Sequence, residues 1–293
     1  MQATFKQSIL AFIAGLALTG TVLASDRVDL ADGSRHAGDI LTRNGPVRIG
    51  NDVEVEGAVE TRNGAVRIGD LSRTGAVSSR NGAIAVGNGN QLGEVSTRNG
   101  SIELGSGNEV TSLDTRNGSI TVGPGSRVDG LVHTRNGSIR LAEAVEVSGS
   151  VSTRNGRIQL GRDSRVLGQL ESRNGAIHLD QAEVGQDVLT RAGDIELRSG
   201  SRVGGDLQIE LEELSGGWRI FGSRVKYSDA GHIRILDDSV VEGDVIIRLP
   251  SNYNGETPSL TVGPDARVVG RVRVDSRVEL DIQGEVRGGI QQR

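Results

Sequence analysis

The sequence predicts an all-β protein: a single-stranded parallel β-helix, or β-solenoid, right-handed, with 18–19 residues per coil. Three observations carry that expectation. A tetrapeptide returns at nearly constant spacing, apolar and polar residues alternate on both sides of it, and the composition is rich in glycine but poor in aromatics.

The tetrapeptide Thr/Ser-Arg-Asn-Gly begins at Thr42, Thr61, Ser79, Thr97, Thr115, Thr134, Thr153 and Ser172, and Thr190-Arg191-Ala192-Gly193 is a degenerate ninth copy. Successive copies stand 18 or 19 residues apart. Around it the fourth copy reads Gly93-Glu94-Val95-Ser96-Thr97-Arg98-Asn99-Gly100-Ser101-Ile102-Glu103-Leu104-Gly105. Its apolar residues fall at every second position, the period of a strand with one buried face. A third short apolar stretch, such as Val128 or Val166, completes each unit. Three short strands with glycine-containing corners thus make one coil.

Asn-Gly between alternating hydrophobics is also the signature of a two-residue hairpin, so an antiparallel meander competes with the solenoid. A meander of this length leaves one face and both edges bare. Coiling pairs each strand with its equivalents in neighbouring coils and encloses the Val, Ile and Leu columns. Asn and Gly are then expected as corner residues in the left-handed conformation. A left-handed β-helix follows a hexapeptide rhythm, and the 19-residue copies without that rhythm favour the right-handed form.

Glycine accounts for 43 of 293 residues, while three Phe, two Tyr and one Trp are the only aromatics. The interior must therefore be narrow and filled by small aliphatic side chains. Cysteine is absent, which excludes disulfide staples, thiolate metal sites and a cysteine nucleophile.

The ends differ from the middle. Residues 1–24 read as a secretory signal peptide: Lys6 precedes an apolar run, and Val22-Leu23-Ala24 before Ser25 fits a small-residue cleavage site. A retained membrane anchor is the alternative, but the run falls short of the roughly 20 residues a span needs; no second apolar run follows, so no stable membrane insertion is expected after its removal. Residues 25–38 read as a lead-in or cap, 39–199 as the regular solenoid, and 200–293 as irregular C-terminal coils and a cap. In the last region the Arg-Asn-Gly corner is lost, but a Gly-x-φ-x-φ strand opening persists at Gly205, Gly243 and Gly270. The first two lie 38 residues apart, which reads as two coils. Trp218, Phe221 and Tyr227 between them read as a cap or a bulkier terminal coil, and 252–258 as a surface loop.

The residues offer little chemistry. His36, His133, His178 and His232 have no second histidine at metal-ligand spacing. Asp180 and Arg198 replace the usual glycine after the second strand, but they fall in different copies without an evident partner. No metal, cofactor or catalytic group is expected, and the chain reads as a non-enzyme. The alternative is a carbohydrate-active β-helix enzyme, a polysaccharide lyase or hydrolase, which requires unlike groups converging where the columns break.

One feature serves neither core nor corner. Arg43, Arg62, Arg80, Arg98, Arg116, Arg135, Arg154, Arg173 and Arg191 hold the same place in nine successive units. Stacking brings such charges to about 4.8 Å, where neighbours repel by about 0.9 kcal/mol in water. Three explanations compete: guanidinium groups stacking on one another and bonding corner carbonyls, pairing with acids such as Glu60, Asp114 and Glu171, or recognition of a repetitive anionic surface. The Thr/Ser rank beside them invites an ice-binding reading, which one Thr per coil flanked by Arg disfavours. Nucleic acid is not expected as a partner, given the export signal and the lack of interleaved aromatics.

The Thr-x-Asn-Gly-x-Ile-x-Leu recurrence, with Gly-x-Val between copies, resembles a bacterial adhesin-type family of β-strand-repeat proteins. The segments at Gly243-Asp244-Val245 and Val268 to Val272 resemble bactofilins, polymer-forming cytoskeletal proteins with a right-handed β-helical core. The export signal departs from the bactofilin pattern. The expectation is a structural or adhesive role: the export signal points to the periplasm or the cell surface, the arginine column to an anionic envelope glycan as partner, and the bactofilin resemblance implies end-to-end self-association.

Overall fold

The computed structural model describes residues 17–18, 21–24, 27–211 and 229–293. No helix occurs among them, and the strands pair in parallel. They divide into two compact units, Met1–Gly137 and Ser138–Arg293. Each unit is a parallel β-solenoid, the fold class that the repeat predicts.

One coil of the first unit runs through Val59–Thr61, turns at Arg62 to Gly64, continues as Val66–Ile68, turns again to Arg73–Thr74, and bends at Gly75 into Val77–Ser79. Strands like Val66–Ile68 stack into one sheet; strands like Arg73–Thr74 and Val77–Ser79 stack into another. The two short pieces fuse into continuous strands at Gln91–Thr97 and Glu109–Asn117.

Pairing joins like with like. Val59, Val77, Val95 and Leu113 are register partners in series, as are Val66, Ile84, Ile102 and Ile120. All eight are buried. Burying an aliphatic side chain of this size contributes roughly 1.5–3 kcal/mol, so stacking, and not any single coil, holds the core. The second unit repeats the scheme with Val151, Leu170, Val188, Leu207, Val245, Val272 and Ile290.

The corner geometry corrects one expectation. The left-handed residues are not the Asn-Gly pairs; in the first unit they are Gly33, Asp52, Leu71, Gly89, Gly107 and Gly125, all at the following corner. Glycine is needed after Asn for a different reason. A Cβ on Gly118 would stand 1.9 Å from the carbonyl oxygen of Gly100, and one on Gly82 would stand 1.9 Å from that of Gly64. Backbone stacks on backbone there, and no side chain fits. Asn meanwhile forms an amide ladder: Asn63, Asn81, Asn99 and Asn117 each donate from Nδ2 to the Asn Oδ1 of the preceding coil, at 2.7–3.0 Å.

A second polar ladder lies inside. Asn108 is fully buried; its Oδ1 accepts from the Asn90 backbone N–H at 2.9 Å, and its Nδ2 donates to Gly87 O at 2.9 Å and Gly105 O at 2.8 Å. Buried amides are tolerable because each polar atom is used.

The spacing in the C-terminal region is also corrected. Ile195 pairs directly with Ile233, Val203 with Val241 and Leu207 with Val245. The 38 residues are therefore one coil with a long excursion, and not two coils. Trp218, Phe221 and Tyr227 fall in that excursion and lie outside the described residues. The next coil holds the expected loop between Val245–Arg248 and Ser259–Val262. Both insertions replace the Arg-Asn-Gly corner. Pairing likewise extends to the N-terminal side of Asp39: Val28–Leu30 pairs with Val47–Ile49, and Arg35–His36 with Glu54–Val55. Val22–Ala24, inside the leader-like segment, pairs with Ile40–Thr42.

Candidate functional site

Alternation along each strand decides which side chains reach the surface. In Val59-Glu60-Thr61-Arg62, Val59 and Thr61 point inward while Glu60 and Arg62 point outward. The Thr/Ser rank is therefore internal. Thr97 Oγ1 donates to Gly82 O at 2.9 Å, Thr115 to Gly100 O at 2.9 Å, and Thr134 to Gly118 O at 2.9 Å, which satisfies the corner carbonyls. An exposed threonine face of the ice-binding kind is not formed.

In the first unit Arg43, Arg62, Arg80, Arg98, Arg116 and Arg135 are all exposed. Their backbones are locked in register, with Asn63, Asn81, Asn99 and Asn117 N–H each donating 3.0 Å to the arginine carbonyl of the coil before. Their guanidinium groups make no hydrogen bond or ion pair among the described residues. For these six, Thr/Ser hydroxyls, not arginines, bond the corner carbonyls, and neither Glu60 nor Asp114 pairs with an arginine. Acids elsewhere do find arginines, as in Arg35–Glu54 at 3.1 Å.

Five of these arginines, Arg43 to Arg116, line one open groove of about 760 Å³. Its other outward column is Glu60, Ser78, Ser96 and Asp114, in register through Glu60–Ser78, Ser78–Ser96 and Ser96–Asp114 pairing. The groove is thus cationic on one side and rich in hydrogen-bond acceptors on the other. The sequence flagged Glu60 and Asp114 only as possible ion-pair partners and did not single out Ser78 or Ser96. The period of two places all four on the arginine face.

In the second unit Arg154 is exposed, whereas Arg173 and Arg191 are half-buried and engaged by neighbours. That unit has a different cationic surface, a groove of about 620 Å³ that includes Arg248, Arg271, Arg273 and Arg293. Two of these are partly neutralised, Arg248 by Glu210 at 3.0 Å and Arg273 by Asp244 at 2.8 Å. Arginine at alternate positions, Arg271 and Arg273 flanking the buried Val272, was the signal for it.

Asp180 and Arg198, read from sequence as lacking partners, are register partners within the second unit. Arg198 also bonds Glu196, 2.8 Å from Nε and 2.6 Å from Nη2, while His178 Nδ1 lies 3.1 Å from the other carboxylate oxygen. Burial pushes the Glu196 carboxyl up, but Arg198 and then His178 hold it below the ordinary carboxylate range. His36 is buried, with Nδ1 lacking a partner. His133 and His178 occupy half-exposed outward positions.

Among the described residues no cluster of three His, Asp or Glu could hold a metal, and no helix is long and apolar enough to cross a membrane. No protein-family model, curated protein or solved structure matches the chain.

Proposed function

We propose that this chain is an exported structural or adhesive β-solenoid whose first unit holds an anionic envelope glycan along its arginine column. The observation that carries the reading is the groove with five unpaired, in-register guanidinium groups. Like charges stacked at sheet spacing cost stability unless something anionic neutralises them. Arginine suits that task because its planar fork takes carboxylate or phosphate in bidentate fashion. Lys6 and Lys226 are the chain's only lysines, so the choice of arginine runs through the whole protein. The leader-like segment and the resemblance to adhesin-type repeat proteins support such a surface outside the cytoplasm.

Replacing Arg62, Arg80, Arg98, Arg116 and Arg135 together by Gln, four of them in the groove, tests this. Retention on an immobilised anionic glycan should be abolished while the thermal transition stays unchanged or rises. Unaltered retention would remove the reading.

The second reading, a carbohydrate-active enzyme, draws on a cluster of unlike groups on an outward face, His178, Glu196 and Arg198. Glu196 there has both carboxylate oxygens engaged and only 11 % of its side chain exposed. That arrangement fits a structural pair better than an acid or base awaiting substrate. Loss of polymer cleavage in Glu196→Gln, with cleavage by the unaltered protein, would reverse this preference.

A further inference from the structure

The anionic partner can be narrowed by the second column of the groove; this step rests on the reading above that the groove binds an anionic polymer. We infer that the groove takes a linear polyuronate, a glycan with one carboxylate per sugar, laid parallel to the stacking direction. Three features of the first unit point there.

The first is spacing. Parallel strands set the arginines in a regular ladder, about 4.8 Å per coil. A polymer with carboxylates at a fixed repeat can engage such a ladder at several rungs at once, through the carboxylates on the side of the chain that faces the column. The second is the acidic pair. Glu60 and Asp114 line the same groove as the arginines, are exposed, and form no ion pair among the described residues. Toward a polyphosphate, which has no hydroxyl donors, these carboxylates only repel. Toward a sugar they accept hydroxyl hydrogens, and such charge-assisted bonds are about twice as strong as neutral ones.

The third is the neutral centre. Between Glu60 and Asp114 the same column carries Ser78 and Ser96, each half-exposed and capable of both donating and accepting. Hydroxyl-bearing ligands can use all four positions, while a bare anion can use at most the two serines. The column composition therefore selects against phosphate chains and for sugar acids, and the arginines select against neutral glycans.

The test uses the full secreted chain and calorimetric titration with oligogalacturonides of two to eight residues, the methyl-esterified pentamer, and linear polyphosphate of matched charge. Affinity should rise with each added uronate residue and level off near the five arginines of the groove. The ester should not bind, and polyphosphate should bind more weakly than the pentamer. In Glu60→Gln/Asp114→Asn, pentamer binding should fall about tenfold for two weakened hydrogen bonds, while polyphosphate binding should tighten. Circular dichroism melting of each variant confirms folding. Should polyphosphate bind as tightly as the pentamer, or the double variant bind both more tightly, the polyuronate assignment falls and a general anion site stands. Should neither polymer bind, both readings fall.

Discussion

Replacing Gly118 by Ala isolates the contact on which stacking depends. The added Cβ would stand 1.9 Å from Gly100 O, 2.4 Å from Gly100 C and 2.9 Å from Ser101 N, all backbone atoms. No rotamer change relieves that overlap, so the two coils must separate by about 1 Å or more at this corner. The bonds Asn117 N–H to Arg98 O at 3.0 Å and Thr115 Oγ1 to Gly100 O at 2.9 Å would stretch beyond useful length. Two lost bonds at about 1 kcal/mol each and an overpacking strain of about 1–3 kcal/mol give a local cost of about 3–5 kcal/mol. Gly107→Ala is the control: its Cβ meets nothing within 4 Å, and only its φ of +65° is unfavourable, at about 1–2 kcal/mol. Amide hydrogen exchange reads the difference. Exchange at Asn117 should quicken about 100- to 4,000-fold in Gly118→Ala. Equal effects from both variants would refute the claim that glycine is demanded there by coil-to-coil contact.

Further consequences concern the buried polar groups. Asn108→Ala removes the partner of the buried Asn90 N–H and of the half-buried Gly87 and Gly105 carbonyls and should destabilise the first unit by about 2–4 kcal/mol in urea unfolding. His36→Leu removes a buried nitrogen without a partner and places there the residue type of its column-mate Leu92; stability at neutral pH should rise by about 1 kcal/mol. The Glu196 carboxyl is held below its ordinary value of 4.5. Its contribution to stability is therefore present above that pH and lost as the pH falls through the lowered folded value. Glu196→Gln should flatten this part of the acid limb of an unfolding profile, and an unchanged limb would show that the pair with Arg198 does not form.

Much of this architecture was legible in the chain itself. Thr-Arg-Asn-Gly returning every 18 or 19 residues required stacked equivalents, and the alternation Val59-Glu60-Thr61-Arg62 already set the arginines outward. The conformation of the corner was not legible. Asn-Gly is locally a left-handed signal, but here the glycine answers to a neighbouring coil's carbonyl, a contact with no sequence signature. The positions that do carry positive φ include Asp52, Leu71, Ala144 and Gln181, which share no residue type. Spacing also misled at Gly205 and Gly243, because 38 residues suit two ordinary coils as well as one coil with an excursion. Only the pairing of Leu207 with Val245 separates them. At the groove, the arginine column stood out by repetition. The acceptor column did not, because Glu60, Ser78, Ser96 and Asp114 share a place but not a chemistry.

Parallel, in-register stacking can be tested with a single covalent probe. The chain has no cysteine, so Ser78→Cys and Ser96→Cys introduce a unique pair at outward register partners. Strands about 4.8 Å apart place the two Cα atoms within the span a disulfide bridges. Mild oxidation of dilute protein should close an intramolecular bridge quantitatively, seen as a faster-migrating monomer that reverts on reduction. Free thiols or intermolecular dimers alone would show that equivalent residues do not lie over one another, and the arginine column would lose its basis.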